Sequence, residues 1–473
     1  MQQWVTSLGE IEYLAGSAFD KEIFEVVRHY WIVSVYSIAQ TSLYRELAEQ
    51  GMLHPVDEGN LEKHLEKGGS DPRAMWDALH LTPSKGGWKW IPRYFRSLNS
   101  PIKRWPLAIA KKKGLAIASG VTSTLECYLK AKNARAVVWD SDWFFPVDYP
   151  ADCDKQDLEG IHQWLSTAAE NMEKAGLDLR HAQEFEAKCA SVFRDMLEYV
   201  KARLLNLEVL EYVPDTFHAI GCGNIHDRML RREVQRRGGT VVGYDHGCGV
   251  GRFFSKDVIR MSFFHCDNYV PIDEESRERL IGVSDEHFPD FCKKPREFTA
   301  PAGVGYKPWK QLESPVGRKR KVMILPTGVS GQRVRLVVLP PDICDIYLVK
   351  DVRDILVDAG YEVTIKPHPA AGGDWKYKWL ETEGVSVSSE SFEDEMERHD
   401  FAVNLCPSSS SSVTSAESGF PMIQVNFPFL EYDFSTFLTF PNVLGAVEGG
   451  IDESGRFTVE GDELVAVANR LYS

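Results

Sequence analysis

The residues of the C-terminal half that are best suited to chemistry form a Lys-Pro-His-Pro motif at 366–369. The motif follows an apolar run that ends at Ile365 and is typical of a buried strand. Its two prolines stiffen the exit from that strand and remove backbone donors. Lys366 and His368, held at a strand tip, are therefore suited to contact a phosphate group, although a rigid surface turn has the same signature.

A run of serines, Ser408–Ser412, lies between two predicted strands, Phe401–Leu405 and Pro421–Val425, and precedes a predicted helix over Val413–Ser418. Hydroxyls and free backbone N–H groups at a helix N-terminus bind anions. N-cap redundancy and a flexible linker are the alternatives, but a linker is not expected between two strands of one sheet. We predict that a phosphate group is bound by Ser408, Ser409, Ser410 and Ser411.

In the N-terminal half, Asp245 and His246 follow the predicted strand Thr240–Tyr244 and precede Gly247 and Gly249. A carboxylate at a strand tip, beside a glycine-rich turn that admits close approach, suits deprotonation of an acceptor or covalent catalysis. The alternative is an Asp-capped turn with a buried histidine. We predict that Asp245 and His246 are the catalytic residues.

Apolar periodicity divides the chain into three parts. Residues 1–110 are predicted to be mostly helical, for example over Lys21–Gln50. Residues 111–300 and 321–473 each alternate short apolar runs with amphipathic stretches, which predicts parallel strands with crossover helices. Between them, 295–320 is rich in Pro, Gly and Lys and is the predicted linker. We predict an α/β fold of two Rossmann-like lobes that face a cleft, with extra N-terminal helices packed on the first lobe.

Each lobe has its own predicted strands. Those of the first lobe are Leu115–Ala118, Ala136–Trp139, Phe217–Ile220 and Thr240–Tyr244. Those of the second lobe are Lys321–Leu325, Gly360–Ile365, Val385–Val387, Phe401–Leu405 and Pro421–Val425. The motifs described above lie where such strands end, and ligands of parallel sheets bind beyond the carboxyl ends of the strands.

Composition and charge restrict the class of protein. The chain has 473 residues and a net charge of −15, which argues against nucleic-acid binding because that requires a basic face. No apolar run is long enough to span a membrane, and no signal peptide is predicted. The nine cysteines are scattered and odd in number, which predicts reduced thiols and a cytoplasmic protein.

One segment departs from the acidic trend. Residues 85–113 contain nine Lys or Arg and no Asp or Glu, interleaved with aromatic side chains. Basic and aromatic residues together suit a surface that meets anionic lipid headgroups or a phosphorylated acceptor, and a solvated loop is the alternative. The segment therefore predicts peripheral contact with the inner membrane.

The motifs at 366–369 and 408–412, followed by Gly419–Pro421, resemble the donor lobe of bacterial surface-polysaccharide glycosyltransferases with the GT-B fold. In particular, they resemble the HP and SS motifs of bacterial sialyltransferases and Kdo transferases, over about residues 321–428. The resemblance implies a glycosyltransferase that moves a keto-sugar acid, Kdo or sialic-acid-like, from a CMP donor to a glycan or glycolipid acceptor. It also implies a role in capsule, lipopolysaccharide or O-antigen synthesis.

The resemblance further implies roles for single residues. His368 and the pair Ser409 and Ser410 match the residues that hold the CMP phosphate. In the resembling enzymes a carboxylate of the N-terminal lobe faces the anomeric carbon, as a base in inverting enzymes and as a nucleophile in some retaining ones. Asp245 fits either role. The predicted helix after the serines is shorter than the one usual in these enzymes.

Four further residues carry weaker signals. His226 and Arg228 stand at a predicted helix start and are suited to contact a sugar carboxylate, although an ordinary helix start explains them as well. Asp140 and Asp142 form a D-x-D motif like the metal-binding motif of the other large glycosyltransferase fold. Because D-x-D often occurs by chance, we predict no metal and no cofactor and retain Asp140 as a residue of the acceptor side.

Two alternatives stay open at this stage. Polyol-phosphate transferases of teichoic-acid synthesis have a similar donor lobe, so the motifs alone do not identify the donor. A protein of another class, a non-catalytic scaffold that binds nucleotide sugars in a polysaccharide assembly complex, has the same motifs without turnover.

Overall fold

The computed structural model describes residues 102–103, 111–138, 179–220, 225–245, 262–285, 292–301, 308–310, 320–326, 341–368, 375–405, 410–427, 440–452 and 457–472. It also describes the single positions 26, 166, 250, 259, 288 and 438. The chain divides into two compact units between Val304 and Gly305. The described residues up to 301 belong to the first unit and those from 308 onwards to the second.

The first unit is built on a seven-stranded parallel sheet with the strand order β1-β3-β2-β4-β5-β6-β7. Strands β3 and β1 lie on one side of β2, and β4 to β7 follow in chain order on the other side. The strand order therefore reverses between β2 and β4. The strands are β1 (Ile102–Lys103), β2 (Ala116–Ala118), β3 (Ala136–Val138), β4 (Thr216–Ile220), β5 (Thr240–Tyr244), β6 (Asn268–Val270) and β7 (Glu297–Phe298).

Four helices of the first unit are described: α1 (Ser123–Ala131), α2 (Leu179–Val209), α3 (Ile225–Arg236) and α4 (Glu274–Gly282). Helix α1 begins where the Thr122 side chain accepts a hydrogen bond from the backbone N–H of Leu125 at 3.2 Å. Leu125 and Leu129 then pack on Val242 and Tyr244 of the sheet. Burial of this apolar face holds α1 on the sheet.

The second unit is built on another seven-stranded sheet, with the strand order β10-β9-β8-β11-β12-β13-β14. All neighbouring strands are parallel except β13 and β14. The first six strands have the doubly wound order 3-2-1-4-5-6, which reverses between β8 and β11. The strands are β8 (Lys321–Leu325), β9 (Glu362–Ile365), β10 (Ser386–Val387), β11 (Phe401–Asn404), β12 (Met422–Asn426), β13 (Val443–Ile451) and β14 (Phe457–Val459).

Helices connect these strands and cover the sheet. They are α5 (Pro341–Asp358), α6 (Trp375–Thr382), α7 (Phe392–Met396), α8 (Ser410–Ser418) and α9 (Gly461–Asn469), and a 3-10 turn follows at Arg470–Tyr472. Helix α5 is joined to α6 by an ion pair, Lys376 Nζ to Asp345 Oδ2 at 2.9 Å, in which both side chains are buried. Removing one partner of such a pair leaves an uncompensated buried charge, so the two helices are held in one arrangement.

The predicted α/β class with two Rossmann-like units is confirmed. Two boundaries differ from the prediction. Helix α8 begins at Ser410 rather than Val413, so the serine run enters the helix. The predicted linker 295–320 contains strand β7, and Trp309 is docked on the second unit, where its backbone N–H donates to Ser418 O at 2.8 Å. Short edge strands and docked loops have no apolar periodicity, which is why the sequence pattern missed them.

The predicted N-terminal helices lie outside the described residues apart from position 26, and so does most of the basic segment 85–113. Within that segment, Ile102–Lys103 forms β1 at the edge of the first sheet. Lys111 pairs with Glu211 at 3.0 Å and lies over the ring of Tyr212. Among the helices that the structure describes, none combines the length and the apolarity that crossing a bilayer requires.

His218 gives the first unit a pH-dependent stability. It is 4% exposed on β4, next to Tyr128 of α1, and burial lowers its pKa to about 4. In the unfolded chain this histidine has a pKa near 6.5, so between about pH 4 and 6.5 the unfolded state binds the proton more readily than the folded state. The stability therefore rises with pH through that window and is complete above it.

On acidification from pH 7 to 4.5, we expect the free energy of unfolding of the parent to fall by about 2–3 kcal/mol more than that of His218→Leu. Urea unfolding at both pH values measures this, and equal losses would contradict it.

Candidate functional site

The strand order of the second sheet reverses between β8 and β11. Strand β8 ends there between β9 and β11: the backbone N–H of Lys366 donates to Ile324 O at 2.8 Å, and that of Leu405 donates to Leu325 O at 2.9 Å. The crossover connections leave this edge in opposite directions from β8 and β11. In doubly wound sheets, ligands bind at this point.

On one side of β8, β9 ends in the Lys-Pro-His-Pro motif. Lys366 is 5% exposed, and its ammonium donates to Pro367 O at 2.8 Å. Burial lowers the pKa of Lys366, and the nearby carboxylates of Glu395 and Glu393 oppose this shift. Lys366 therefore stabilises the turn through this buried hydrogen bond, whereas His368 is exposed at the sheet edge.

On the other side of β8, helix α8 follows β11. Of the predicted serines, Ser408 and Ser409 lie outside the described residues, and Ser410 and Ser411 form the start of the helix. Neighbouring strands are about 4.8 Å apart, so β9 and β11 are about 10 Å apart on either side of β8. This places the turn at His368 and the N-terminus of α8 on opposite sides of the carboxyl end of β8. The first N–H groups of a helix lack intrahelical partners and are suited to bind an anion.

A buried polar network, which the sequence pattern did not predict, lies behind α8. Asn404 on β11 and Gln424 on β12 are adjacent in register, and both are fully buried. The Asn404 side-chain amide donates to Ser412 Oγ of α8 and, at 2.7 Å, to Gln424 Oε1. The Gln424 amide donates in turn to Asn404 O at 3.2 Å and to Val425 O at 2.8 Å. The available signal was an amide residue near the carboxyl end of each of two otherwise apolar strands.

The C-terminal end of α8 is held separately. The side-chain amide of Asn442 donates to Ser415 O and Phe420 O, both at 2.8 Å. Trp309 donates through its backbone to Ser418 O and through its indole to Met396 O. The chain then leaves the helix through Gly419, whose φ of +81° a residue with a side chain rarely adopts.

In the first unit, Asp245 follows β5 and is fully buried. Its carboxylate Oδ2 accepts a hydrogen bond from the backbone N–H of Val250 at 2.7 Å, and its own N–H donates to Val270 O at 2.9 Å. The carboxylate thus closes the glycine-containing loop 246–249, which corresponds to the Asp-capped alternative. His246 lies outside the described residues.

The two weaker candidates on α3 are enclosed within the first unit. His226 is 6% exposed and is hydrogen-bonded through Nε2 to the hydroxyl of Tyr199. Arg228 is 3% exposed, and its guanidinium lies over the ring of Phe264 at 4.9 Å. Both contacts join elements of this unit, which fits the interpretation as an ordinary helix start. A contact of either residue with a sugar carboxylate stays a prediction.

In the first sheet, side chains of this unit pack at the point where the strand order reverses, between β2 and β4. Ser119 Oγ, directly after β2, accepts from Ile220 N of β4 at 2.8 Å, and the Tyr244 hydroxyl donates to Gly120 O at 3.2 Å. Burial raises the pKa of Tyr244, so it stays a neutral donor. A side chain at Gly120 would meet Ile220 Cδ1 at 2.6 Å. The reversal point of this unit is therefore packed rather than open at these residues.

Metal binding has no support in the described part of the chain: no group of three or more His, Cys, Asp or Glu side chains is arranged there to hold an ion. Asp140 and Asp142 of the D-x-D motif lie outside the described residues. The prediction that no metal and no cofactor is needed stays a prediction.

Comparison with known proteins gives distant structural likenesses. No family model matches the chain, and no curated protein sequence does. The solved structures that it resembles include a glycosyltransferase, SsfS6, of Streptomyces sp. SF2575 complexed with thymidine diphosphate (11% identity, 76% of this chain and 90% of that chain, TM-score 0.32). Another is UGT2 of Phytolacca americana complexed with UDP-2-fluoro-glucose and pterostilbene (10%, 75% and 89%, TM-score 0.36).

A third likeness is to a UDP-N-acetylglucosamine 2-epimerase from Rickettsia bellii (13% identity, 66% of this chain and 78% of that chain, TM-score 0.31). TM-scores of this size do not establish a shared fold. The architecture described above therefore rests on the two sheets themselves, and the site rests on its own geometry.

The buried hydrogen bond of Asp245 predicts a stability effect that depends on shape rather than charge. Asp245→Ala leaves the N–H of Val250 without its acceptor, which costs about 1–3 kcal/mol when the group is buried. Asp245→Asn keeps an acceptor oxygen at the same position. We expect the alanine variant to be destabilised by that amount in urea unfolding and the asparagine variant to recover most of it. Equal stability of the parent and the alanine variant would contradict the loop-closing contact.

Proposed function

We propose that this protein is a glycosyltransferase that moves a keto-sugar acid, Kdo or sialic-acid-like, from a CMP donor to a glycan or lipid-linked acceptor in bacterial surface-polysaccharide synthesis. The observation that supports it most is the strand order of the second sheet, which places His368 and the serine-headed helix α8 on opposite sides of β8 at the carboxyl edge. The choice of CMP rests on the resemblance of the two motifs alone.

On the donor side, the bond between the anomeric carbon and the phosphate oxygen breaks, and CMP leaves with the bonding electrons. Negative charge therefore grows on the phosphate in an oxocarbenium-like transition state. Helix N–H groups and serine hydroxyls of α8, together with His368, are suited to stabilise that charge because they are placed before the reaction begins. Lys366 contributes indirectly by bracing the turn that carries His368.

On the acceptor side, we assign Asp245 as the catalytic carboxylate. As a base it removes the proton of the acceptor hydroxyl while the acceptor oxygen attacks the anomeric carbon, which gives inversion. As a nucleophile it forms a sugar ester that the acceptor then resolves, which gives retention. The hydrogen bond from Val250 occupies Oδ2 in both cases and fixes the orientation of the carboxylate.

The two alternative functions differ from the proposed one in the donor that is used or in whether the donor is turned over. A polyol-phosphate transferase uses the same donor lobe and turns over CDP-glycerol or CDP-ribitol instead of a CMP-sugar. A scaffold binds the nucleotide sugar without turnover. Mass spectrometry of products after incubation with both donor classes and a phenyl-glycoside acceptor distinguishes all three.

Nucleotide binding and His368 together test the donor site. We expect CMP at 100 times its dissociation constant to stabilise the protein by about 2.7 kcal/mol, seen as a raised melting temperature. His368→Ala should lower turnover by about 10²- to 10³-fold while the fold is retained, because the side chain is exposed and a single donor to a developing anion contributes that much.

Lys378→Ala, which removes an exposed cation from α6, is the control and should leave turnover near the parental value. Near-parental turnover of His368→Ala would remove this histidine from the site. EDTA should leave the rate unchanged, and a loss that Mn²⁺ restores would favour the Asp140 and Asp142 motif instead.

The Asp245→Asn variant tests the proposed catalytic role of Asp245 separately from its structural hydrogen bond with Val250. Asparagine keeps the hydrogen-bond acceptor but is neither base nor nucleophile, so we expect a rate about 10²- to 10⁴-fold below the parent at near-parental stability. Intact-protein mass spectrometry of the parent with donor alone then separates the two roles, because only a nucleophile gains the mass of the sugar acid. If Asp245→Asn turned over at the parental rate, Asp245 would have only the structural role of binding the N–H of Val250. Asp140 would then be the next candidate for the catalytic carboxylate.

A further inference from the structure

The second unit keeps three polar side chains where apolar ones would pack as well. Asn404, Gln424 and Ser412 are each 0% exposed, and the strand residues on the same face of the sheet, Ala402 and Met422, are apolar and fully buried. Replacing a fully paired buried polar group by an apolar one of the same shape is often close to neutral for stability. A satisfied buried network does, however, specify one arrangement of the elements it joins.

The network joins three elements at one end of α8. Asn404 uses both N–H bonds of its side-chain amide, one towards Ser412 of the helix and one towards Gln424 of β12. Gln424 cannot rotate away because its own amide is held by two backbone carbonyls, Asn404 O and Val425 O. Ser412 is thereby tied to a carboxamide that the sheet holds in one orientation.

The far end of α8 does not depend on this network. Asn442 and Trp309 hold the C-terminal turn through Ser415 O and Ser418 O. The hydroxyl of Ser412 thus ties the N-terminal half of the helix to the sheet. That is the end of α8 that follows β11, which borders β8.

We propose that Asn404, Gln424 and Ser412 are positioning residues that set the N-terminus of α8 for the phosphate of the nucleotide donor. None of the three is exposed to touch the ligand, so their effect is carried by the placement of the first-turn N–H groups. This inference rests on the proposed donor site. Asn404 and Gln424 lie outside both motifs, and Ser412, the last residue of the serine run, is not among the predicted phosphate contacts.

The test compares two serines of the same helix. Ser412→Ala removes the tie to Asn404 and leaves the Asn404–Gln424 bond in place. Ser415→Ala is the matched control: Ser415 is also 0% exposed, lies one turn further on, and its Oγ has no hydrogen-bond partner. Both substitutions delete one buried hydroxyl, so a general loss of packing affects both equally.

We expect calorimetric titration with CMP to show binding about tenfold weaker in Ser412→Ala than in the parent, and binding within about twofold of the parent in Ser415→Ala. Hydrogen exchange should show faster exchange of the first-turn amides of α8 in Ser412→Ala only. Inorganic phosphate, titrated in the same way, should follow the same order, because the effect acts on the phosphate site and not on the base.

The outcomes separate this inference from the proposed function. If the parent binds CMP and Ser412→Ala binds it equally tightly, the positioning role is wrong and the donor site stands. Parallel losses of affinity in both alanine variants would also overturn the positioning role, since they would reflect general packing. A parent that binds neither CMP nor phosphate overturns the proposed donor site and this inference with it.

Discussion

Parallel strand pairing is the constraint on which both units depend. A parallel strand cannot turn back on its neighbour, so each connection crosses the sheet as a helix or a long loop and the carboxyl ends of all strands meet at one edge. In the second unit the chain starts at β8, in the interior of the sheet, and winds to both sides. From that order, the Lys-Pro-His-Pro motif and the N-terminus of α8 lie on either side of β8, because each follows a strand that borders β8.

The two units use the same geometry differently. At the reversal of the first sheet, Ser119 and Tyr244 bond to backbone groups of the neighbouring loop and strand, and the close approach of Ile220 leaves no room for a side chain at Gly120. At the reversal of the second sheet, the polar side chains of Asn404, Gln424 and Ser412 bond to one another behind α8.

Burial decides the role of the ionisable residues near these edges. Lys366 is a cation in a motif predicted to bind phosphate, yet its ammonium is enclosed and bonded to Pro367 O, so its charge stabilises a turn. Asp245 is a carboxylate at a strand tip, yet it is enclosed and closes a loop. A structural contact and a catalytic role use the same atoms, which is why only variants that preserve shape can separate them.

Sequence alone determined the class of fold, the positions of nine of the fourteen described strands and the location of the two motifs at strand ends, because hydrophobic periodicity and turn residues are local signals. It could not determine that α8 begins at Ser410, that His226 and Arg228 are enclosed, or that Asn404, Gln424 and Ser412 meet. Burial and side-chain pairing between distant residues depend on which strands become neighbours and in what register. That is decided by the packing of the whole unit, so only the tertiary structure shows it.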